Sequence, residues 1–315
     1  MSIHILSFFE KTSTYRKQRK GLVFMIRDYN IHTDLALEDK ERFESDNVEI
    51  SGVSVEEFLD EENDIRVTEV KILTENGAKT MGKPIGTYIT MEIQNLTLPD
   101  EEYHKIVAKE MASHIKSILP IDKEDYTALV VGLGNRDVTP DALGPKVVEC
   151  LNITRHIIRE YGKYAMGEEE AHMVSAIAPG VMAQTGMESC EIIKGIVDEI
   201  HPDVVFVVDA LAARNTRRLN RTIQIADTGI HPGSGVGNHR NEISKSTLGI
   251  PVIAIGVPTV VDAATIVRDT GAEFIQPHLY GMFVTPKDID ESIDRIGVTI
   301  AAGLNEYFVK SSSIY

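Results

Sequence analysis

Two aspartates in this chain stand where side-chain chemistry concentrates in α/β proteins. Asp141 lies in the polar stretch after the apolar run Tyr126–Val131, and Asp209 ends the run DVVFVV that starts at Asp203. Short runs rich in Val read as strands buried on both faces rather than as helices. Residues beyond the carboxyl ends of such strands are where open α/β sheets bind their ligands. Two carboxylates brought within a few ångströms cannot both ionise cheaply, so one keeps a proton while the other acts as a base on water. Such a dyad titrates as one unit, and hydrolysis is the chemistry it suits. The plainer reading makes each a helix cap, Asp141 for a helix opening near Leu143 and Asp209 for one beginning at Ala210. Spacing leaves both readings open.

Other residues compete for a role. Gly132, Gly134 and Asn135 start like a dinucleotide fingerprint, but Arg136 and Asp137 follow where a third glycine belongs, which makes the signal weak. The segment GIHPGSGVGNHRNE sets Gly233, Gly235 and Gly237 between His231 and His239. It reads equally as a cradle for an anion or a peptide backbone and as a surface loop. His231 together with Asp141 and Asp209 would make a metal site of two carboxylates and an imidazole. A non-catalytic anion- or nucleotide-binding module would use the same glycines without the carboxylates. No Cys-x-x-Cys, His-Glu-x-x-His or Gly-x-Ser-x-Gly pattern occurs, which disfavours zincin and serine-hydrolase chemistry.

The elements that must position these residues are legible as patterns. The run at 126–131, the loop through Asp137, Pro140 and Asp141, and an amphipathic helix over 144–160 opened by Gly144 and Pro145 give strand, loop and helix in order. Met173–Ile177, Asp203–Val208, Thr222–Ala226 and Pro251–Val257 read as further strands, with helices over 187–200, 261–268 and 288–310. Alternating strands and helices predict an α/β fold, a largely parallel sheet flanked by helices. Ahead of it, IRVTEVKIL and TYITMEIQN alternate apolar with polar, so 65–95 is expected to form a meander or hairpin, a small N-terminal β-rich addition. Pro99, Asp100, Glu101 and Glu102 open a helix to about Leu119, their charges suiting the positive end of its dipole. The acidic stretch before Asp64 shows no period.

Composition bounds the class. The chain has 315 residues, 43% of them apolar, and a net charge of −16; its mean hydropathy is −0.09. That is a globular composition with room for one large α/β domain or two smaller ones. The acidic balance disfavours direct nucleic-acid binding, and no apolar run reaches the roughly 18 residues of a membrane span. Cys150 and Cys190 form no disulfide framework and read as buried small apolar residues. The charge is uneven: residues 1–34 carry six Lys/Arg against three acids, net +3. Their apolar patch is too short for a signal-peptide core, so they read as an extension, or as sequence upstream of a true start at Met25.

The blocks VVGLGNRDVTPDALGPKVV, AIAPGVMAQTGMES, DVVFVVDALAAR, DTGIHPGSGVGNHRNEIS and GVPTVVDAATIV together resemble the germination proteases of spore-forming Firmicutes, over Ile31 to the C-terminus. The resemblance implies a fold like that of the hydrogenase-maturation peptidases and a catalytic pair at Asp141 and Asp209. It implies an endopeptidase that degrades small acid-soluble spore proteins inside the germinating spore, in a cytoplasmic compartment, without a cofactor or resident metal. A homotetramer is expected from it, as is a zymogen that cuts itself after an acidic residue and before an apolar one followed by Ala. Thr33-Asp34-Leu35-Ala36 fits, making 1–34 a propeptide and 35–315 a single peptidase domain. The plainer reading of Asp34 is an N-cap. The maturation peptidases hold a metal at matching positions, which leaves metal-assisted hydrolysis as the alternative. Backbone amides of Gly132–Asn135 and Gly233–Gly237 are candidates for oxyanion or substrate contacts.

Overall fold

Apolar residues on alternating positions of the strands divide the core between the two faces of one nine-stranded sheet. The computed structural model describes residues 33–45, 50–119, 121, 123, 125–162, 165, 172–233, 240–271 and 275–308. In chain order the first part runs α1 (Ala36–Ser45), β1 (Val53–Asp60), β2 (Ile65–Ile72), α2 (Glu75–Met81), β3 (Gly86–Ile93) and α3 (Glu101–Ile118). Next come β4 (Thr127–Gly132), α4 (Leu143–Glu149), α5 (Arg155–Tyr161), β5 (Met173–Ile177), α6 (Met182–Thr185), α7 (Ser189–Ile200) and β6 (Val204–Ala213). The chain continues through β7 (Thr222–Ala226), α8 (Lys245–Leu248), β8 (Val252–Asp262), α9 (Ala263–Asp269), β9 (Phe283–Val284) and α10 (Ile289–Phe308).

The sheet order is β1-β2-β3-β7-β8-β6-β4-β5, with β9 beside β8. Strands β5, β4, β6 and β8 run parallel to one another, as the strand–helix alternation requires. β7 joins β8 antiparallel, and β3, β2 and β1 extend the sheet antiparallel from there. The fold is α/β with a mixed sheet, and the N-terminal β region is a continuation of that sheet.

Alternation along β6 shows how the core is built. Val204, Phe206 and Val208 pack with Met111 and Ile115 of α3 and Ile296 and Ile300 of α10. Val205 and Val207 pack on the other side with Ile193 and Val197 of α7. Each of these side chains, fully buried, contributes about 1.5–3 kcal/mol. Continuing the period of two sends Asp209 and Leu211 to the second face. Gln224 of β7 and Tyr88 of β3 lie on that same face, because Ile223, Ile225 and Ile89 occupy the first.

The structure corrects several expectations. The helix expected over 144–160 is two helices, broken over 150–154, where Thr154, the N-cap of α5, pairs with β5. Its N–H donates to Val174 O, its hydroxyl donates to His172 O, and it accepts from Val174 N–H. The strand expected to end before Asp209 runs on to Ala213, held by β8 through a bulge at Leu211/Ala212. The aperiodic acidic stretch contains β1, an edge strand with no fully buried residue and with Phe58 and Leu59 exposed. An edge with little buried face has no alternation to read. Both cysteines are partly buried, and Cys190 Sγ donates to Glu242 O. Residues 1–32, with Met25 and the basic stretch, lie outside the described residues.

Candidate active site

Asp209 sits within β6, only 5% exposed. A strand continues through it, so it caps no helix at Ala210. It stands opposite Gly256 of β8, which stands opposite Gln224 of β7. Strands about 4.8 Å apart put roughly 10 Å between the backbones of Asp209 and Gln224, with side chains on the same face. Gly256 leaves the middle of this row without a side chain; a Cβ there would come within 2.4 Å of Leu211.

Asp141 reaches the same end of the sheet from the loop after β4. Leu133 N–H donates to Val208 O at 2.8 Å, docking that loop beside Asp209. Gly134 has φ +113°, and a Cβ on it would lie 1.9 Å from Asp141 O. Only glycine permits that approach. The Asn135 N–H donates both to Asp141 O, at 3.0 Å, and to its Oδ2, at 2.9 Å. Thr259 of β8 donates its hydroxyl to Pro140 O at 2.7 Å. Asp141 closes a 3₁₀ turn, and helix α4 after it has Ala142 as N-cap without a side-chain cap bond. The capping reading of Asp141 therefore fails too.

Burial pushes the Asp209 carboxyl well above the usual carboxylate range, and the charges of Asp141 and Asp34 add to it. The Ala210 N–H, which donates to Oδ1 at 2.9 Å, and the charge of Arg240 pull the other way. Burial also raises Asp141, against the Asn135 N–H and Arg240. Two carboxyls that each resist ionisation, one of them feeling the other, are suited to hold one proton between them.

A third carboxylate, Asp34, comes from the chain's own N-terminal segment. Its N–H donates to Ala212 O at 3.1 Å, and its Oδ2 accepts from Ala212 N–H at 2.9 Å. The Asp34 carbonyl oxygen accepts from Lys83 Nζ and from Gln224 Nε2, both at 3.1 Å. Ala36 N–H donates to Gln224 Oε1 at 2.8 Å. Leu35 is fully buried with Leu211, Ala213, Leu219 and Val261. Beyond it Glu38, also buried, accepts from Arg214 N–H, Asn215 N–H and Arg218 Nη1 and from the Thr33 hydroxyl. The segment lies along a cleft of about 580 Å³ that Lys83, Leu211, Gln224, His231 and Gly256 help to line.

The family profile described as germination protease matches residues 31–280. The chain belongs to the germination protease family. It is 44% identical over 310 residues to the germination protease of Clostridium tetani (strain Massachusetts / E88), covering 88% of this chain and 94% of that one. It is 45% identical over 314 residues to that of Caldanaerobacter subterraneus subsp. tengcongensis, covering 89% and 95%. Over 260 residues it is 50% identical to that of Geobacillus sp. (strain WCH70), covering 79% and 68%. Among solved structures, a nickel–iron hydrogenase maturation protease from Thermococcus kodakarensis KOD1 is similar at 20% identity and a TM-score of 0.30, over 56% of this chain and 92% of that one. Membership makes this chain a spore protease, an endopeptidase that hydrolyses peptide bonds.

In this germination protease the residues singled out from sequence do not all gather. Asp141, Asp209, Asp34 and Leu35 come together. Gly132 and Gly134 serve close backbone approach, Gly132 against Gly144 O, and the Asn135 amide is spent on Asp141. His231 lines the cleft but faces Glu242, its Nε2 3.9 Å from Oε2. Gly233 has φ +73° and lies at the end of the described part of its loop; Gly235 and Gly237 lie outside the described residues. Among the described residues no three His, Cys, Asp or Glu side chains group as a metal cage. Sequence reading missed Lys83 and Gln224, which stand in no quoted motif, and gave no role to Arg240 or the Ala212 backbone, which lie inside the blocks DTGIHPGSGVGNHRNEIS and DVVFVVDALAAR. For Gln224 the signal was a polar side chain in a short β-branched strand, TIQIA.

Proposed function

We propose that this peptidase is made as a zymogen that cuts its own Asp34–Leu35 bond with Asp141 and Asp209, and that the same pair then cuts small acid-soluble spore proteins during germination. The observation that carries the reading is the seat of that bond. Its acidic residue pairs with β6 beside Asp209, its charge raises the Asp209 carboxyl, and its apolar residue fills a pocket. An N-cap role explains none of these contacts.

The chemistry follows from the shared proton. The ionised carboxylate takes a proton from water as the water oxygen bonds to the Asp34 carbonyl carbon, and the carbonyl π pair moves to its oxygen. The tetrahedral species collapses with cleavage of the carbon–nitrogen bond, and the Leu35 nitrogen takes the proton held by the other carboxyl. Because burial raises both carboxyls, the singly protonated pair persists to higher pH than for exposed aspartates, which favours processing under mildly acidic conditions. In this reading the working assembly is a homotetramer, as the family resemblance implies.

The test is self-processing of the purified full chain at mildly acidic pH, with and without a chelator, beside Asp141→Asn and Asp209→Asn. New N-termini are read by mass. A fragment beginning at Leu35, insensitive to chelator and absent from both variants, is the expected result. Cutting that persists in either variant removes that residue from the pair, and loss of cutting with chelator moves the chemistry to a metal.

A further inference from the structure

We infer that Lys83 and Gln224 form the oxyanion-binding pair of this protease. The inference rests on reading Asp34–Leu35 as a bond the enzyme cuts. The carbonyl oxygen of that bond receives two donors, Lys83 Nζ and Gln224 Nε2, each at 3.1 Å. Lys83 comes from the turn after α2 and Gln224 from β7.

Lys83 follows Gly82, the left-handed C-cap of α2 at φ +67°, and its N–H donates back to Ala78 O. This stop aims its side chain into the cleft, where the ammonium also meets Asp39 at 3.4 Å. Gln224 is fixed differently. It stands in the buried strand β7, opposite Gly256, which stands opposite Asp209. Ala36 N–H can only donate, so the atom facing it is Oε1, and Nε2 must face the Asp34 carbonyl. Gln224 thus straddles the bond, holding the carbonyl on one side and the amide of the second residue beyond it on the other.

A neutral carbonyl gains little from an ammonium, whereas the oxyanion formed on attack gains much, so the contact favours the transition state over the bound chain. Two backbone amides beside Asp141 are already engaged: Leu133 N–H is bound to Val208 O and Asn135 N–H to Asp141. Among the described residues the two side-chain donors on this carbonyl oxygen are Lys83 and Gln224, and one carries a full charge.

Two measurements test the assignment. First-order self-processing is timed in full-length Lys83→Met and in Gln224→Glu, which keeps the acceptor for Ala36 N–H but replaces the donor. Loss of one oxyanion donor slows cutting about 10²–10³-fold. In an Asp209→Asn background, where the segment stays uncut, amide hydrogen exchange of residues 33–40 is compared with and without Lys83→Met. Unchanged protection together with the slow cut supports the assignment, because a mere anchor would loosen the segment as it slowed the reaction. Loss of protection in step with the rate, or cutting at the wild-type rate in either variant, overturns it. If the wild-type chain is cut at a different bond, the self-cleavage reading has failed instead, and that is seen in the wild type alone.

Discussion

Replacing Gly134 with Ala separates the geometry of the site from the stability of the fold. At φ +113° an L-residue is strained, and the left-handed region costs roughly 1–2 kcal/mol. The new methyl would also stand 1.9 Å from Asp141 O and 3.2 Å from its Oδ1. Restoring ordinary contact requires the Asp141 backbone to move by about 1 Å or more, and a displacement of that size at a reacting group costs about 10²-fold in rate. Gly249→Ala is the control. Gly249 has φ +76° with nothing within 4 Å of an added Cβ, so it carries the backbone penalty without pushing on the site. Thermal melts should show both variants lowered by a few degrees, while timed self-processing should show Gly134→Ala slowed about 10²-fold or more and Gly249→Ala unchanged. If Gly134→Ala cuts at the wild-type rate, the position of Asp141 is not what sets the rate, and the argument from close approach is wrong.

Asp209→Asn is expected to stabilise the fold at neutral pH. The folded carboxyl is raised above its unfolded value, so its contribution to stability is full below the unfolded pKa of about 3.9 and is lost as pH rises through the folded one. Melts of variant and wild type should therefore converge near pH 4 and diverge above it, and a constant difference across that range would refute the sign. Glu38→Ala removes a buried carboxylate from Arg218 and strands the N–H groups of Arg214 and Asn215. Arg218 keeps Glu41 and Glu92, so the cost should sit near the low end of a broken buried pair, about 3 kcal/mol by urea unfolding. A loss below about 1 kcal/mol would mean that the cluster does not hold α1.

The α/β class and most element positions were legible in the chain, because a strand covered on both faces must be apolar throughout. β4, the core of β6 and the first part of β8 read as such runs. The edge strand β1 could not be read, since water rather than a core sets its pattern. Extension of β6 past Asp209 was equally hidden: Asp-Ala-Leu-Ala-Ala suits a helix start as well as a strand, and pairing with β8 decides between them. The two aspartates and the Asp34–Leu35 segment stood out in sequence by their neighbours. Their meeting could not, because it depends on the order β7-β8-β6-β4, which brings residues remote in the chain onto one face. Lys83 and Gln224 carry no motif at all. A lysine after a helix cap and a glutamine in a strand become oxyanion candidates only when the sheet and the N-terminal segment set both against one carbonyl oxygen. Side-chain type and local period lie in the sequence; the convergence of donors from distant elements is created by packing.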